Sequence, residues 1–165
     1  DNMSGYWLER GDVLSSVDRA LDSAGLPAEC LELEITEGEI MQRGDAIMGT
    51  LDALRAKGVK LAIDDFGTGY SSLLRLKRLP VTKLKIDRGF VMDLPGDEND
   101  AAIPGAIIAL GRSLKLVITA EGVETSEQQE LLRIMGCDFG QGYLYSRPQP
   151  PEALGRWLGL SDPMP

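Results

Sequence analysis

Thr82-Lys83-Leu84-Lys85-Ile86-Asp87 is the stretch on which the fold turns. Its side chains alternate, so Lys83, Lys85 and Asp87 share one face of an extended strand and Leu84 and Ile86 the other. Leu31-Glu32-Leu33-Glu34-Ile35-Thr36 repeats the pattern, with Glu32, Glu34 and Thr36 against Leu31, Leu33 and Ile35. A doubly wound sheet buries both faces of its strands, which then read as continuous apolar runs. A strand with helices on one face and charge on the other fits the wall of a βα barrel whose mouth is a polar site. For one such strand alone, an antiparallel strand with one wetted face is the better explanation. Two of them inside a βα pattern favour the barrel.

Working outward, further strands are expected at Lys60–Asp65, Leu116–Ala120 and Gly142–Tyr145, with Asn2–Ser4 as the end of another. Helices fall between them. Val13, Leu14, Val17 and Leu21 recur at helical spacing until Gly25-Leu26-Pro27 stops the run, and Ile47, Met48, Leu51 and Leu54 do the same before Gly58. Ser126 with Gln129 reads as a capping box ahead of Leu131, Leu132 and Met135, closed by Gly136. Pro104 suits the first turn of the helix carrying Ile107, Ile108 and Leu110, and Pro95–Asp100 reads as an acidic loop or helix entry. Alternating strands and helices predict an α/β protein with a parallel sheet.

Composition narrows the chemistry. The 165 residues hold 17 Lys and Arg against 26 Asp and Glu, a formal charge of −9, and 43% are hydrophobic. That apolar content fills a core, and the acidic balance argues against binding a nucleic-acid polymer. With no His, imidazole-based catalysis and imidazole metal sites are excluded. Cys30 and Cys137 form no CxxC pair, which fits a reducing, cytoplasmic setting. No apolar run approaches the ~20 residues that span a bilayer, so no membrane contact is expected of this segment.

The chemical signal gathers where strands end, the rim at which a βα barrel builds its active site. Glu34 and Glu37 close one strand, Asp64 and Asp65 the next, Lys85 and Asp87 a third; Glu121 and Glu124 follow the fourth and Gln141 precedes the last. Taken singly, each acid is an ordinary solvated side chain, Glu124 or Glu127 a helix N-terminal acid, and Gly67 and Gly69 mere turn residues. Taken together, carboxylates at one mouth repel one another unless cations sit between them. Hard divalent ions with oxygen ligands are the natural partners, Mg²⁺ or Mn²⁺, and adjacent Asp64 and Asp65 suit a pair. Two such ions activate water and stabilise both oxygens of a phosphoryl displacement, with Lys85 orienting the water or countering developing charge.

Five segments carry a resemblance. Glu34-Ile35-Thr36-Glu37, Asp64-Asp65-Phe66-Gly67-Thr68-Gly69-Tyr70-Ser71-Ser72-Leu73, Lys85-Ile86-Asp87, Ala120-Glu121-Gly122-Val123-Glu124-Thr125 and Gly140-Gln141-Gly142-Tyr143 occur in that order. From Asn2 to about Pro148 the chain resembles the EAL domain family of bacterial cyclic-di-GMP phosphodiesterases. The resemblance implies a modified TIM barrel that hydrolyses cyclic di-GMP to linear pGpG with two Mg²⁺ or Mn²⁺ ions. It implies that Asn2, Glu34 and Asp64 hold one metal, and that Asp64 also bridges to a second held by Asp65 and Glu121. Lys85 corresponds to the residue that touches the attacking water. Glu37 corresponds to the glutamate anchoring the Asp65–Leu73 loop, which takes part in dimerisation and regulation. Lys85, Glu121 and Glu37 are thus the expected catalytic set. Asp87, Glu124 and Gln141 correspond to residues that position substrate or water, and Arg147 receives no role.

The family's Glu-Ala-Leu strand, whose glutamate is a metal ligand, lies upstream of the Asn-x-Ser segment and is not in this sequence. Residues 1–165 are therefore expected to form one domain, a barrel incomplete at its N-terminus, weakly active or inactive by itself, and unstable, segment-swapped or paired as a homodimer through the exposed edge. Three functions stay open: the phosphodiesterase, a catalytically impaired cyclic-di-GMP receptor, and a regulatory dimerisation module.

Overall fold

The computed structural model describes residues 8, 12–69, 73–96, 98–150 and 153–154. Five strands alternate with helices: α1 (Val13–Ala24), β1 (Glu32–Thr36), α2 (Glu37–Ala56), β2 (Lys60–Phe66), α3 (Leu73–Leu76), β3 (Lys83–Ile86), α4 (Glu98–Ser113), β4 (Val117–Glu121), α5 (Ser126–Met135) and β5 (Phe139–Gln141). All neighbouring strands are parallel, and their spatial order is their chain order, β1 to β5. A doubly wound sheet reverses its order at a switch point; an unbroken order is that of a barrel wall.

The alternation expected of β1 and β3 explains how that wall packs. Leu33 and Ile35 are buried beneath the helices, as are Leu84 and Ile86, while Glu34 and Lys85 face the concave side. Helix α2 presents Ile40, Ile47, Leu51 and Leu54 to the same core. Leu51 has no exposed surface, so truncation to Ala should cost ~2–5 kcal/mol. Strand β1 passes into α2 with no linker. Thr36 ends the strand and also caps the helix, accepting from the Glu39 amide at 3.3 Å. Glu37, the next residue, is thereby held at the C-terminal edge of the sheet.

Several boundaries differ from the sequence reading. The last strand is Phe139–Gln141, and Gly142–Tyr145 is turn. The capping box is Thr125 with Gln128, one residue before the expected Ser126 and Gln129: the Thr125 hydroxyl accepts from the Gln128 amide at 3.2 Å, and Gln128 Oε1 accepts from the Thr125 amide at 3.0 Å. Thr-x-x-Gln and Ser-x-x-Gln overlap here, so either register fits, and tertiary contacts of Gln128 select this one. Pro104 lies inside α4, which begins at Glu98, so the helix forgoes one backbone bond where sequence suggested a first-turn proline. Gly25 and Gly136 end α1 and α5 in the left-handed conformation, as expected. Asn2–Ser4 lies outside the described residues.

Candidate active site

A break in β2 creates the site. Between β2 and β3, Ile63 pairs with Leu84 and Phe66 with Ile86, so Asp64 and Asp65 together stand opposite Lys85. This is a β-bulge, and Asp65 carries its strain with φ +54°. In a regular strand adjacent side chains point to opposite faces. Here one oxygen each from Asp64, Asp65 and Glu121 lie within 4.8 Å of one another. Strand alternation alone would have sent Asp65 into the helical layer.

Lys85 sits among carboxylates. Its Nζ is 2.6 Å from Glu121 Oε1, 2.8 Å from Glu34 Oε1 and 3.2 Å from Asp64 Oδ1, and the residue is only 4% exposed. Burial works against its charge, but the hydrogen bonds to Glu121 and Glu34 and the charges of Glu121 and Asp64 outweigh that, holding its pKa above the ordinary lysine value. Lys85 is a permanent cation here. It is outnumbered: Glu34, Asp64, Asp65 and Glu121 surround it. The Glu121 pKa is raised, first by burial and then by Asp64 and Glu34, against the pull of Lys85. Asp65 is raised by burial and by the charges of Asp64 and Asp87.

One atom tests whether a cation belongs here. Asp64 is 5% exposed, and its Oδ1, though within ion-pair distance of Lys85, has no hydrogen-bond partner. A buried carboxylate oxygen served only by an ammonium that two other carboxylates share is under-satisfied. With Asp65 and Glu121 beside it, it offers a hard, all-oxygen donor set suited to Mg²⁺ or Mn²⁺. The residues fit the group. Glu34 lies outside this three-oxygen group and meets it through Lys85. Asn2, the remaining expected ligand, lies outside the described residues.

The other expected residues divide by role. Glu37, 1% exposed, stands apart from the oxygen cluster: its Oε2 accepts from the amides of Gly67 at 2.8 Å and Gly69 at 3.3 Å, gripping the loop after β2. Gly67 has φ +103°, and a Cβ there would lie 2.7 Å from the Phe90 ring, so that loop turn requires glycine. Asp87 Oδ1 accepts from the Gly89 amide at 2.8 Å and starts the short 3₁₀ turn Arg88–Phe90. Glu124 and Gln141 line a cavity of about 200 Å³ beside Glu121, together with Arg88, Met92 and Tyr143. The sequence reading passed over Arg88 and Tyr143. Their signal was adjacency: each directly follows or lies two residues from a residue already singled out. The Arg147 guanidinium lies 4.4 Å over the ring of Tyr143, which lines the cavity, and so packs against it.

An acidic, cation-suited site on the C-terminal edge of a parallel βα wall defines a TIM-barrel-type domain with its chemistry at the strand ends. The chain belongs to the EAL domain family, whose model matches residues 2–148. It is 52% identical over 153 residues to the bifunctional diguanylate cyclase/cyclic di-GMP phosphodiesterase MucR of Pseudomonas aeruginosa, covering 93% of this chain and 22% of that protein. It thus spans about a fifth of that relative's length. Among solved structures, the PaMucR phosphodiesterase in complex with c-di-GMP superposes with a TM-score of 0.88 at 52% identity, over 93% of this chain and 62% of that one. A manganese/cyclic-di-GMP complex of Klebsiella pneumoniae BlrP1 gives 0.82 at 36% identity, over 89% and 38%. No helix among the described residues is long and apolar enough to cross a membrane.

Proposed function

We propose that this chain is a phosphodiesterase domain that hydrolyses one phosphodiester of cyclic di-GMP to give linear pGpG, with two divalent metal ions. The observation that carries the reading is the buried Asp64 Oδ1, without a hydrogen bond and met only by the shared Lys85 ammonium at 3.2 Å, grouped with Asp65 and Glu121. The relatives named above bind or cleave this dinucleotide, and one was solved with manganese.

Asp64, Asp65 and Glu121 would hold metal, with Glu34 and Asn2 completing the set. When bound, Mg²⁺ or Mn²⁺ supplies an acidified water and positive charge for the phosphoryl oxygens. Lys85 keeps its proton and is aimed by three carboxylates, so it orients the attacking oxygen and counters charge that develops on the phosphate. Glu37 acts through the Gly67–Gly69 backbone and touches no reacting atom; it is a positioning residue for the loop that follows Asp65. Asp87 orders the turn leading to Arg88, and Glu124 and Gln141 orient the dinucleotide in the adjoining cavity.

Residues 1–165 act as one domain in this reading. The exposed Leu73 and Leu74, just beyond the loop that Glu37 anchors, support a homodimer through that region. The unpaired Cys30 and Cys137 fit a cytoplasmic setting.

The test is incubation with cyclic di-GMP and Mn²⁺, with products separated by chromatography. Linear pGpG that disappears in Glu121→Ala is the expected result. Saturable binding without product would replace the enzyme with a receptor.

A further inference from the structure

Gln128 has no place in the chemistry above and lines no part of the cavity, yet it is buried, 4% exposed, with its amide fully used. On one side Oε1 accepts from the amides of Glu124 at 2.7 Å and Thr125 at 3.0 Å. On the other, Nε2 donates to the carbonyls of Val91 at 3.1 Å and Met92 at 3.3 Å. Two acceptor lone pairs and two N–H donors exhaust what a glutamine can offer. The partners also fix its orientation, since flipping the amide would set donors against donors.

Capping accounts for one of these four bonds. A capping box needs only the bond from the N-cap amide back to the N3 side chain. The two bonds to Val91 and Met92 do nothing for the helix. They reach 36 and 37 residues back in sequence to the segment that follows β3. That segment carries Asp87 and Arg88; the one Gln128 caps carries Glu121 and Glu124. Both segments line the 200 Å³ cavity, with Arg88 and Met92 from one and Glu121 and Glu124 from the other. Their approach is close elsewhere as well. Gly122 has φ +70°, and a Cβ on it would lie 2.6 Å from Arg88 Cβ.

We propose that Gln128 is a positioning residue: its amide ties the β3-end segment to the β4-end segment and so sets the width of the ligand cavity between Arg88 and Glu124. This rests on the cyclic-di-GMP reading of that cavity. Asp64, Asp65 and Glu121, which would hold metal, lie in β2 and β4, strands that pair with β1 and β5 without help from Gln128. The tie therefore governs dinucleotide affinity and leaves metal affinity in place.

Two substitutions separate the tie from the cap. Gln128→Glu keeps both acceptor bonds and turns a carboxylate toward the Val91 and Met92 carbonyls, where nothing can be donated. Gln128→Met removes all four bonds without adding charge, and carries the test if the glutamate variant does not fold. Thr125→Ala weakens the same helix start from its other side and leaves the tie alone. Titrations of cyclic di-GMP and of Mn²⁺, with amide hydrogen exchange over residues 88–92, are the readouts. The expected result is at least tenfold weaker cyclic di-GMP binding in both Gln128 variants, Mn²⁺ affinity within twofold, and faster exchange at 88–92. Thr125→Ala should bind the dinucleotide within twofold of the parent. Unchanged dinucleotide affinity in both Gln128 variants, or an equal loss in Thr125→Ala, overturns the proposal. A parent protein that binds no cyclic di-GMP instead sinks the functional reading, and unaltered exchange at 88–92 then rejects the tie on its own.

Discussion

Lys83 and Lys85 lie two residues apart on one strand and point to the same side of the sheet, yet they live in different electrostatic worlds. Lys83 meets one carboxylate, Glu32 Oε1 at 2.7 Å, and both side chains remain about a quarter exposed. Charge balances charge, water is at hand, and the pair is a structural contact of modest value. Lys85, nearer the C-terminal edge, is buried against three carboxylates with a fourth beside them. No folding requirement calls for that surplus of negative charge, which costs stability until cations join it. A balanced pair at one end of the sheet and an unbalanced cluster at the other separate scaffold from site.

The comparison breaks most sharply at the lysines themselves. Lys85→Met should lower phosphodiester hydrolysis by roughly 10²–10⁴-fold, the range for removing a group that handles the attacking water, measured as pGpG formed per enzyme. Activity kept within a few-fold would reduce Lys85 to a counter-ion like Lys83.

A smaller effect sharpens the surplus-charge argument. The Asp65 and Glu121 pKa values are raised above the ordinary 3.8 and 4.5, so the folded, metal-free protein holds these protons more tightly than the unfolded chain. Ionising them therefore costs stability as pH rises through the raised values, and protonation relieves that cost as pH falls. Mn²⁺ relieves the same repulsion. Its stabilisation, about 2.7 kcal/mol at a hundredfold excess over Kd, should be full near neutral pH and fade in acid. Thermal melts with Mn²⁺ and with chelator across pH would show it, and an increment that grows in acid would contradict the cluster.

The smallest change is expected at the other end of the strand. Lys83→Met should shift unfolding free energy by less than ~1 kcal/mol and leave hydrolysis within twofold, by denaturant titration and product assay.

Much of this contrast was legible in the residues. Alternation in β1 and β3 separated the charged face from the buried one, and the βα rhythm predicted a parallel sheet with acids at its strand ends. Three things were not legible. The capping box slid by one residue because Ser-x-x-Gln and Thr-x-x-Gln compete locally, and only the carbonyls of Val91 and Met92 favour Gln128. Strand β5 fell earlier than expected because its pairing with Thr119–Glu121 is set by the neighbouring strand and not by its own composition. Pro104 was read as a helix start, yet α4 begins six residues before it.

By itself, then, the sequence determined the residue types and the faces they occupy, because side-chain direction along a strand follows from local geometry. The sequence put Asp64 and Asp65 at one strand end, but only the tertiary structure decided how two neighbours on a strand turn to the same site. That requires the β2 bulge and a left-handed Asp65, which exist because β2 carries one residue more than β3 between shared pairings. The same holds for Lys85 and Gln128. Their roles depend on partners from other strands and loops, and packing brings those partners within reach where local propensity has no say.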